Sequence, residues 1–231
     1  KDVVIIDCSG KHIYPGMIDG GTQLGLAEIE SISLTNDFRE LGDYNAHMQA
    51  LTAVNPNAVA IPITRTNGIT TVLTSPAGGR FSGTAALIDL HGYTPEQMYA
   101  GFKGVVLNFP LYGKRGRFDT STEDDIKKDF NKAFNNLNEV WEQAVLYSKI
   151  DSASSAENKK YEILSPAVTA LKDVVRGQQN LIIQVNKDVD IKAAIQWLKG
   201  KNVKAIFTGV AEGYRVAKEI AEAKIPVIAG P

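Results

Sequence analysis

The chain has 231 residues, enough for one large domain or two small ones, and 44% of them are hydrophobic while 22% are charged. Its formal net charge of −1 shows no basic excess that would indicate nucleic acid or an anionic membrane surface as a partner. No apolar run approaches the roughly 20 residues that a membrane-spanning helix needs. The single cysteine, Cys8, excludes an internal disulfide framework and a zinc cluster built from several cysteines.

The chain begins with Lys1 rather than Met, which is typical of a protein that has lost a leader, a tag or a longer amino-terminal segment. A large domain needs no disulfide in an oxidising compartment, so the lone cysteine does not fix the location. A periplasmic location after removal of a leader and a cytoplasmic location therefore both stay open.

The first half of the chain is predicted to be rich in strands and to contain one weak helix. Val3 to Ile6 is a β-branched run that ends at a turn, and Gly68 to Leu73 is a strongly β-prone run before Ser75 and Pro76. The complete prediction for this half has strands at residues 3–6, 12–14, 69–73, 85–90 and 105–109 and a loosely patterned helix at 41–53.

The second half alternates helices and strands more clearly. Thr122 is suited to cap the start of a long helix with its hydroxyl group. Glu123, Asp124 and Asp125 would place negative charge in the first turn, where the helix dipole favours it. Strands that alternate with helices favour parallel βα units, and so a doubly wound sheet or a (β/α) barrel. The predicted elements are helices at 122–147, 161–175 (interrupted near Ser165 and Pro166), 191–199 and 212–223, strands at 181–185, 205–208 and 226–229, and a polar surface loop or helix break at 152–160.

Several segments, spread in order over nearly the whole chain, match the pattern of one known family. Residues 7–26, DCSGKHIYPGMIDGGTQLGL, look like the point where a small β-sandwich leads into a first barrel strand, with the family pattern Pro-Gly-x-Ile-Asp-x-His-x-His. Residues 55–94 look like the next part, and residues 181–198 and 204–231 resemble later strands and helices. The chain thus resembles the amidohydrolase superfamily of metal-dependent hydrolases, in its imidazolonepropionase-related branch.

This resemblance implies an α/β fold with a (β/α) TIM-like barrel at 17–231, truncated at its carboxyl end, preceded at 1–16 by a remnant of a small β-sandwich. The strands at 69–73, 181–185, 205–207 and 227–229 should then be parallel members of one sheet. A complete barrel takes about 250 residues, so the chain is either a fragment or is completed by a second copy or an adjoining domain. The alternative is a rearranged sheet that closes with fewer strands.

Members of the family hold one or two divalent metals, commonly zinc, that activate a water molecule at the carboxyl ends of the strands. The two histidines of the first strand correspond here to Gly21 and Gln23, and those of two later strands to Gln184 and Thr208. Glycine has no side-chain ligand, and an amide oxygen is a weak ligand for zinc compared with imidazole. The only histidines in the sequence, none of which falls at a ligand position, are His12, His47 and His91.

Two functional hypotheses follow from the resemblance. In the first, the domain has no metal, no cofactor and no catalytic residues, and instead binds a small polar ligand or supports a partner domain. Gly21, Gln23, Gln184 and Thr208 would line its pocket, and Arg80 and Ser82, in the loop from Gly78 to Gly83, would lie at the pocket mouth. In the second, the chain is part of a working hydrolase of C–N bonds whose metal is held by residues outside it or by unusual ligands.

Overall fold

A computed structural model describes residues 3–29, 32, 35–114, 119–157 and 165–230. Within these ranges, seven strands form a single sheet in which every strand lies beside its neighbour in sequence. They are β1 (Met17–Thr22), β2 (Ile69–Thr74), β3 (Phe81–Asp89), β4 (Tyr99–Asn108), β5 (Asn180–Val185), β6 (Lys204–Gly209) and β7 (Val227–Ala229).

The helices differ widely in length, and none of those in the described ranges is long and apolar enough to span a bilayer. They are α1 (Ala50–Ala53), α2 (Ala60–Thr66), α3 (Pro95–Met98), α4 (Glu123–Glu157), α5 (Pro166–Ala170), α6 (Lys172–Val175), α7 (Asp188–Leu198) and α8 (Ala217–Glu222), with a 3₁₀ turn at Gly213–Val216 before α8.

Six of these strands run in one direction, and β3 runs in the other. The pairs β1–β2, β4–β5, β5–β6 and β6–β7 are parallel, whereas β3 is antiparallel to both β2 and β4. The prediction that residues 69–73, 181–185, 205–207 and 227–229 run in parallel in one sheet is therefore confirmed. The prediction of regularly alternating strands and helices is wrong from β2 to β4. Parallel neighbours need a crossover of a dozen or more residues, and the connections from β2 to β3 and from β3 to β4 are too short for one.

The sheet curls until its two edge strands approach each other. A Cβ atom built on Gly20 of β1 would lie 2.5 Å from Cγ2 of Ile228 in β7. The fold is thus a mixed α/β arrangement around a nearly closed, barrel-like sheet of seven strands.

Both faces of the sheet are covered by apolar side chains. Leu73, Ala85, Val106 and Ile182, from four neighbouring strands, form one buried cluster against which Ile228 also packs. The alternate residues of β4 and β5 point the other way, because successive side chains of a strand face opposite sides. On that outer face they pack against α4 and α7 in the largest core cluster, which includes Val105, Leu107, Leu181, Ile183, Leu137, Trp141, Ile191 and Trp197.

The long helix α4 begins as predicted and ends later than predicted. The Thr122 hydroxyl accepts a hydrogen bond from the Asp125 amide at 3.2 Å and donates one to the Asp125 carboxylate at 2.6 Å, which caps the first turn. The predicted loop at 152–160 is wrong as far as residue 157, where α4 still continues. Arg176 stabilises the first turn of this extension, because its guanidinium donates to the Ser148 carbonyl and to the Asp151 carboxylate, both at 2.8 Å.

Three further sequence predictions differ from the structure. The helix predicted at 41–53 is reduced to α1, and the helix predicted at 161–175 is split into α5 and α6, with residues 161–164 outside the described ranges. The strands predicted at 3–6 and 12–14 are wrong, since residues 3–16 contain no strand. Val3, Val4, Ile5 and Ile6 are instead 78–89% exposed. The assignment of residues 1–16 to a β-sandwich stays a prediction.

The close approach of β7 to β1 predicts different results for two adjacent glycines. Gly20→Ala should lower the free energy of unfolding by about 1–3 kcal/mol, because the added methyl group overlaps Ile228. Gly21→Ala is the matched control, since a Cβ there has no neighbour within 4 Å, and it should change that free energy by less than about 0.5 kcal/mol. Urea denaturation measures both, and equal effects would contradict the proposed closure at Gly20.

Candidate functional site

A cavity of about 360 Å³ opens at the carboxyl ends of the parallel strands. The structure places Gly21, Gln23, Gln184 and Thr208 around it, although they come from three different strands or strand ends. Their role in ligand binding stays a prediction. The remaining lining residues are Asp19, Gly20, Thr22, Ser75, Pro76, Ala77, Val106, Gly209, Ile228, Ala229 and Gly230.

The register of the sheet brings the later site residues to the same level. Asn108 of β4 is paired with Gln184 of β5, Gln184 with Thr208 of β6, and Thr208 with Ile228 of β7. Gln184 is also the exposed position of β5, whose other residues are buried or half-buried. A row of neutral hydrogen-bonding side chains, two amides and one hydroxyl, therefore crosses three adjacent strands.

An irregularity at the end of β1 sets the position of Gln23. Asp19 is paired with Val72 and Thr22 with Thr74, so β1 has one more residue than β2 between these two pairs. Such a bulge changes which side of a strand the following side chains take. Thr74 donates its hydroxyl hydrogen bond to the Leu24 carbonyl at 2.9 Å, and Gln23 lies beside the cavity.

Asp19 is a site residue that the sequence reasoning missed. Among the described residues that line the cavity, Asp19 is the one with an ionisable side chain. One of its carboxylate oxygens accepts a hydrogen bond from the Gly21 amide at 3.1 Å. The signal was present in the sequence, because Asp19 is the aspartate of the motif Pro-Gly-x-Ile-Asp. Within the described ranges, no three His, Cys, Asp or Glu residues are grouped so that they could hold a metal ion.

The two residues predicted at the pocket mouth lie elsewhere. Arg80 borders a separate cavity of about 230 Å³ together with Asp119 and Asp129, and its guanidinium donates to the Asn108 carbonyl at 2.7 Å. Ser82 is 2% exposed, because β3 has already begun at Phe81. In the connection between β2 and β3, the part that reaches the cavity is Ser75 to Ala77.

Asn108 anchors the connection between β2 and β3 to the sheet. Its amide nitrogen donates to the Gly79 carbonyl at 2.7 Å and to the Ser82 hydroxyl at 3.0 Å. Its own carbonyl accepts the hydrogen bond from Arg80 described above. The side chain of one residue thus holds the loop whose first half lines the cavity.

The whole chain superposes on a solved structure, an amidohydrolase from Thermotoga maritima MSB8, with a TM-score of 0.78 and 20% sequence identity. The superposition covers 100% of this chain and 62% of the Thermotoga chain, so this chain spans less than two thirds of that protein. No protein-family model and no curated protein sequence matches the chain. At this level of identity the likeness establishes the fold alone, which is the fold that the Thermotoga chain has over the matched part.

The contacts of Asn108 predict that its truncation disturbs the loop. Asn108→Ala should lower the free energy of unfolding by about 1–2 kcal/mol, because it removes two hydrogen bonds and leaves the half-buried Gly79 carbonyl without one of its donors. It should also speed amide hydrogen exchange at Ala77 and Arg80. Asn136→Ala, on the exposed face of α4, is the control, and an equally small effect for both variants would contradict the anchoring role.

Proposed function

We propose that this chain is a (β/α) TIM-like barrel domain of the imidazolonepropionase-related amidohydrolases that has lost its metal centre and its hydrolytic chemistry, and that now binds a small, polar, uncharged ligand. The observation that carries the proposal is the lining of the cavity at the strand ends. The four positions to which the family resemblance assigns metal ligands surround one cavity, and they are occupied by Gly21, Gln23, Gln184 and Thr208.

The chemistry of the donor set supports the loss of the metal. Zinc in proteins is held by imidazole, thiolate and carboxylate groups, usually three or four together. Here Asp19 is the one such group in the cavity lining, and the other polar side chains of the lining are amides and hydroxyls. These residues do not fit a zinc ion, and no step of a hydrolytic reaction is assigned to them.

The hydrogen-bonding groups of the cavity lining also indicate which class of ligand would fit. Gln23 and Gln184 can each donate and accept hydrogen bonds, whereas the Asp19 carboxylate only accepts them. Val106 and Ile228 add apolar surface to the wall. A ligand that carries both N–H groups and a carbonyl oxygen, such as a cyclic amide or a cyclic urea, matches this arrangement. The volume of about 360 Å³ lies near the lower end of the range for ligand pockets, which limits the ligand to a small molecule.

The ligand class can be tested with ethylene urea (2-imidazolidinone). It should bind with a dissociation constant of about 1 mM, as expected for so few atoms, and should shift the side-chain amide resonances of Gln23 and Gln184 in NMR spectra. Gln184→Ala should weaken binding by about threefold to tenfold, and Gln178→Ala, at an exposed position before β5, should not.

Cyclopentanone has the same ring size and no N–H groups, and should bind more weakly than ethylene urea. Equal binding of the two compounds, or an unchanged affinity in Gln184→Ala, would exclude recognition by these amides.

A zinc titration tests whether the former ligand positions still converge. The parent chain should take up no stoichiometric zinc. The variant Gly21→His, Gln23→His, Gln184→His should bind zinc at least about tenfold more tightly. Gly21 has open space where a side chain would begin, so the substitution fits there. Isothermal titration measures both proteins.

The matched control for this titration carries three histidines at separate exposed positions, Lys103→His, Lys128→His and Lys218→His. Zinc binding by the control as tight as by the site variant would mean that the three strand-end positions do not converge. About one equivalent of metal in the parent chain, lost in Gln23→Ala, would instead favour a working C–N bond hydrolase.

A further inference from the structure

A second and larger cavity lies at the opposite ends of the strands. Its volume is about 590 Å³, compared with about 360 Å³ for the candidate site. It is bordered by Asn180 and Lys204, the first residues of β5 and β6, and by Pro226, which precedes β7. The ends of α7 and α8 complete it. The cavity is therefore separate from the residues on which the proposed function rests.

The floor of this second cavity is apolar and continuous with the main core. Ile195 and Leu198 of α7, Val203, Ala205 of β6, and Ile225 all border the cavity and pack against the largest core cluster. Apolar surface of this extent favours a ligand with an apolar body over a fully hydrated ion.

The charges around the cavity have one sign. Its ionisable lining residues are Lys199, Lys201, Lys204 and Lys224, and no described Asp or Glu belongs to the lining. Across the described part of the chain, the ion pairs found involve other lysines and arginines and none of these four. The chain as a whole has 25 basic and 26 acidic residues, so a cavity bordered by four lysines does not follow from its composition.

Lys201 is held in place before any ligand arrives. Its ammonium group donates to the Trp197 carbonyl and lies 4.7 Å from the centroid of the Trp197 ring. The ring is fixed in turn, since its N–H donates to the Asn138 side chain at 2.9 Å. Partial burial lowers the pKa of Lys201. An anion in the cavity would supply the carboxylate or phosphate partner that this ammonium lacks in the described structure.

Lys224 occupies a backbone conformation in which glycine is usual. Its φ is +53°, immediately after the end of α8, where its amide donates to the Ala221 carbonyl at 3.0 Å. Helices often end on such a left-handed residue, and glycine adopts it without steric strain. A lysine here is conformationally unfavourable, and Lys224 is one of the four lysines that border the cavity.

We propose that this cavity, which we call the lysine cavity, binds an amphipathic monoanion. The carboxylate of the ligand would lie among Lys199, Lys201, Lys204 and Lys224, and its apolar body would lie on the floor. A cavity of this volume accommodates an apolar body of about ten carbons. The positive charge of the four lysines complements the carboxylate of the ligand, and the apolar floor buries the hydrocarbon part of the ligand. Neither part alone is a strong site, because exposed lysines are well hydrated and the apolar floor lacks specificity.

Decanoate is a suitable probe, used below its micelle concentration in isothermal titrations of the whole chain. It should bind with a dissociation constant of about 10–100 µM. Inorganic phosphate lacks the apolar body, and decyltrimethylammonium has the opposite charge, so both should bind at least about tenfold more weakly. Raising the salt concentration should weaken decanoate binding, because Lys199, Lys204 and Lys224 are exposed and only Lys201 is half-buried.

Two variants and one control identify the residues. Lys201→Met should weaken decanoate binding by about tenfold. Lys224→Gly should weaken it as well while leaving the melting temperature unchanged or higher, which keeps the test valid if Lys201→Met folds poorly. Lys218→Met changes a lysine of α8 that pairs with Glu222 and does not border the cavity, and it should leave binding unchanged.

Three results would overturn the proposal. The first is no heat of binding with decanoate up to 1 mM, about ten times the weakest dissociation constant expected. The second is equal binding of decanoate and decyltrimethylammonium. The third is an unchanged affinity in both Lys201→Met and Lys224→Gly. Because none of these experiments involves the cavity at the carboxyl ends, their failure would leave the proposed function untouched.

Discussion

The contact between Ile228 and the backbone of Gly20 is the constraint on which the rest of the architecture depends. Strand β1 and strand β7 are the two edges of the sheet, and a side chain as small as a methyl group at residue 20 would separate them. Gly20 has no positive φ, so the requirement is for space rather than for an unusual backbone conformation. The curvature that this contact permits brings the carboxyl ends of the first and last strands around one cavity.

Strand pairing brings together side chains that are far apart in the sequence. Asn108, Gln184 and Thr208 are far apart in sequence, yet successive pairing of β4, β5 and β6 places them in one row. The row consists of neutral side chains, two amides and one hydroxyl, which are suited to hydrogen bonding. Two of its members, Gln184 and Thr208, also border the cavity at the carboxyl ends of the strands.

The sequence predicts those features that arise from local burial and from the family motif. Residues 181–185 are nearly all apolar because β5 is buried on both faces, and this pattern is enough to place it in the sheet. The convergence of Gln23, Gln184 and Thr208 at one cavity could likewise be expected, since it depends on strand order and on the carboxyl-end rule for barrels.

Other features depend on interactions that no local pattern reveals. An apolar run does not encode the direction of its strand, so the reversal of β3 could not be read from residues 81–89. The part of α4 beyond the predicted end at residue 147 is contacted by Arg176, which comes later in the chain and bonds Ser148 and Asp151. Ser82 looks like a loop residue in the glycine-rich segment from Gly78 to Gly83, yet its position within β3 buries it.

The exposed segment Val3 to Ile6 has a consequence for the behaviour of the protein in concentrated solution. Four successive β-branched or aliphatic side chains, free of proline and glycine, are exposed there with no strand beside them. Their backbone N–H and C=O groups can pair with the same segment of another molecule, and identical short segments that stack in this way form cross-β fibrils. Asp7 is the charge that follows this segment directly, and its ionised carboxylate opposes stacking in register because like charges would lie above one another. Protonation of Asp7 would remove that repulsion, and the hydrogen bonds from Ser9, which lower the pKa of Asp7, keep its carboxylate charged to a more acidic pH.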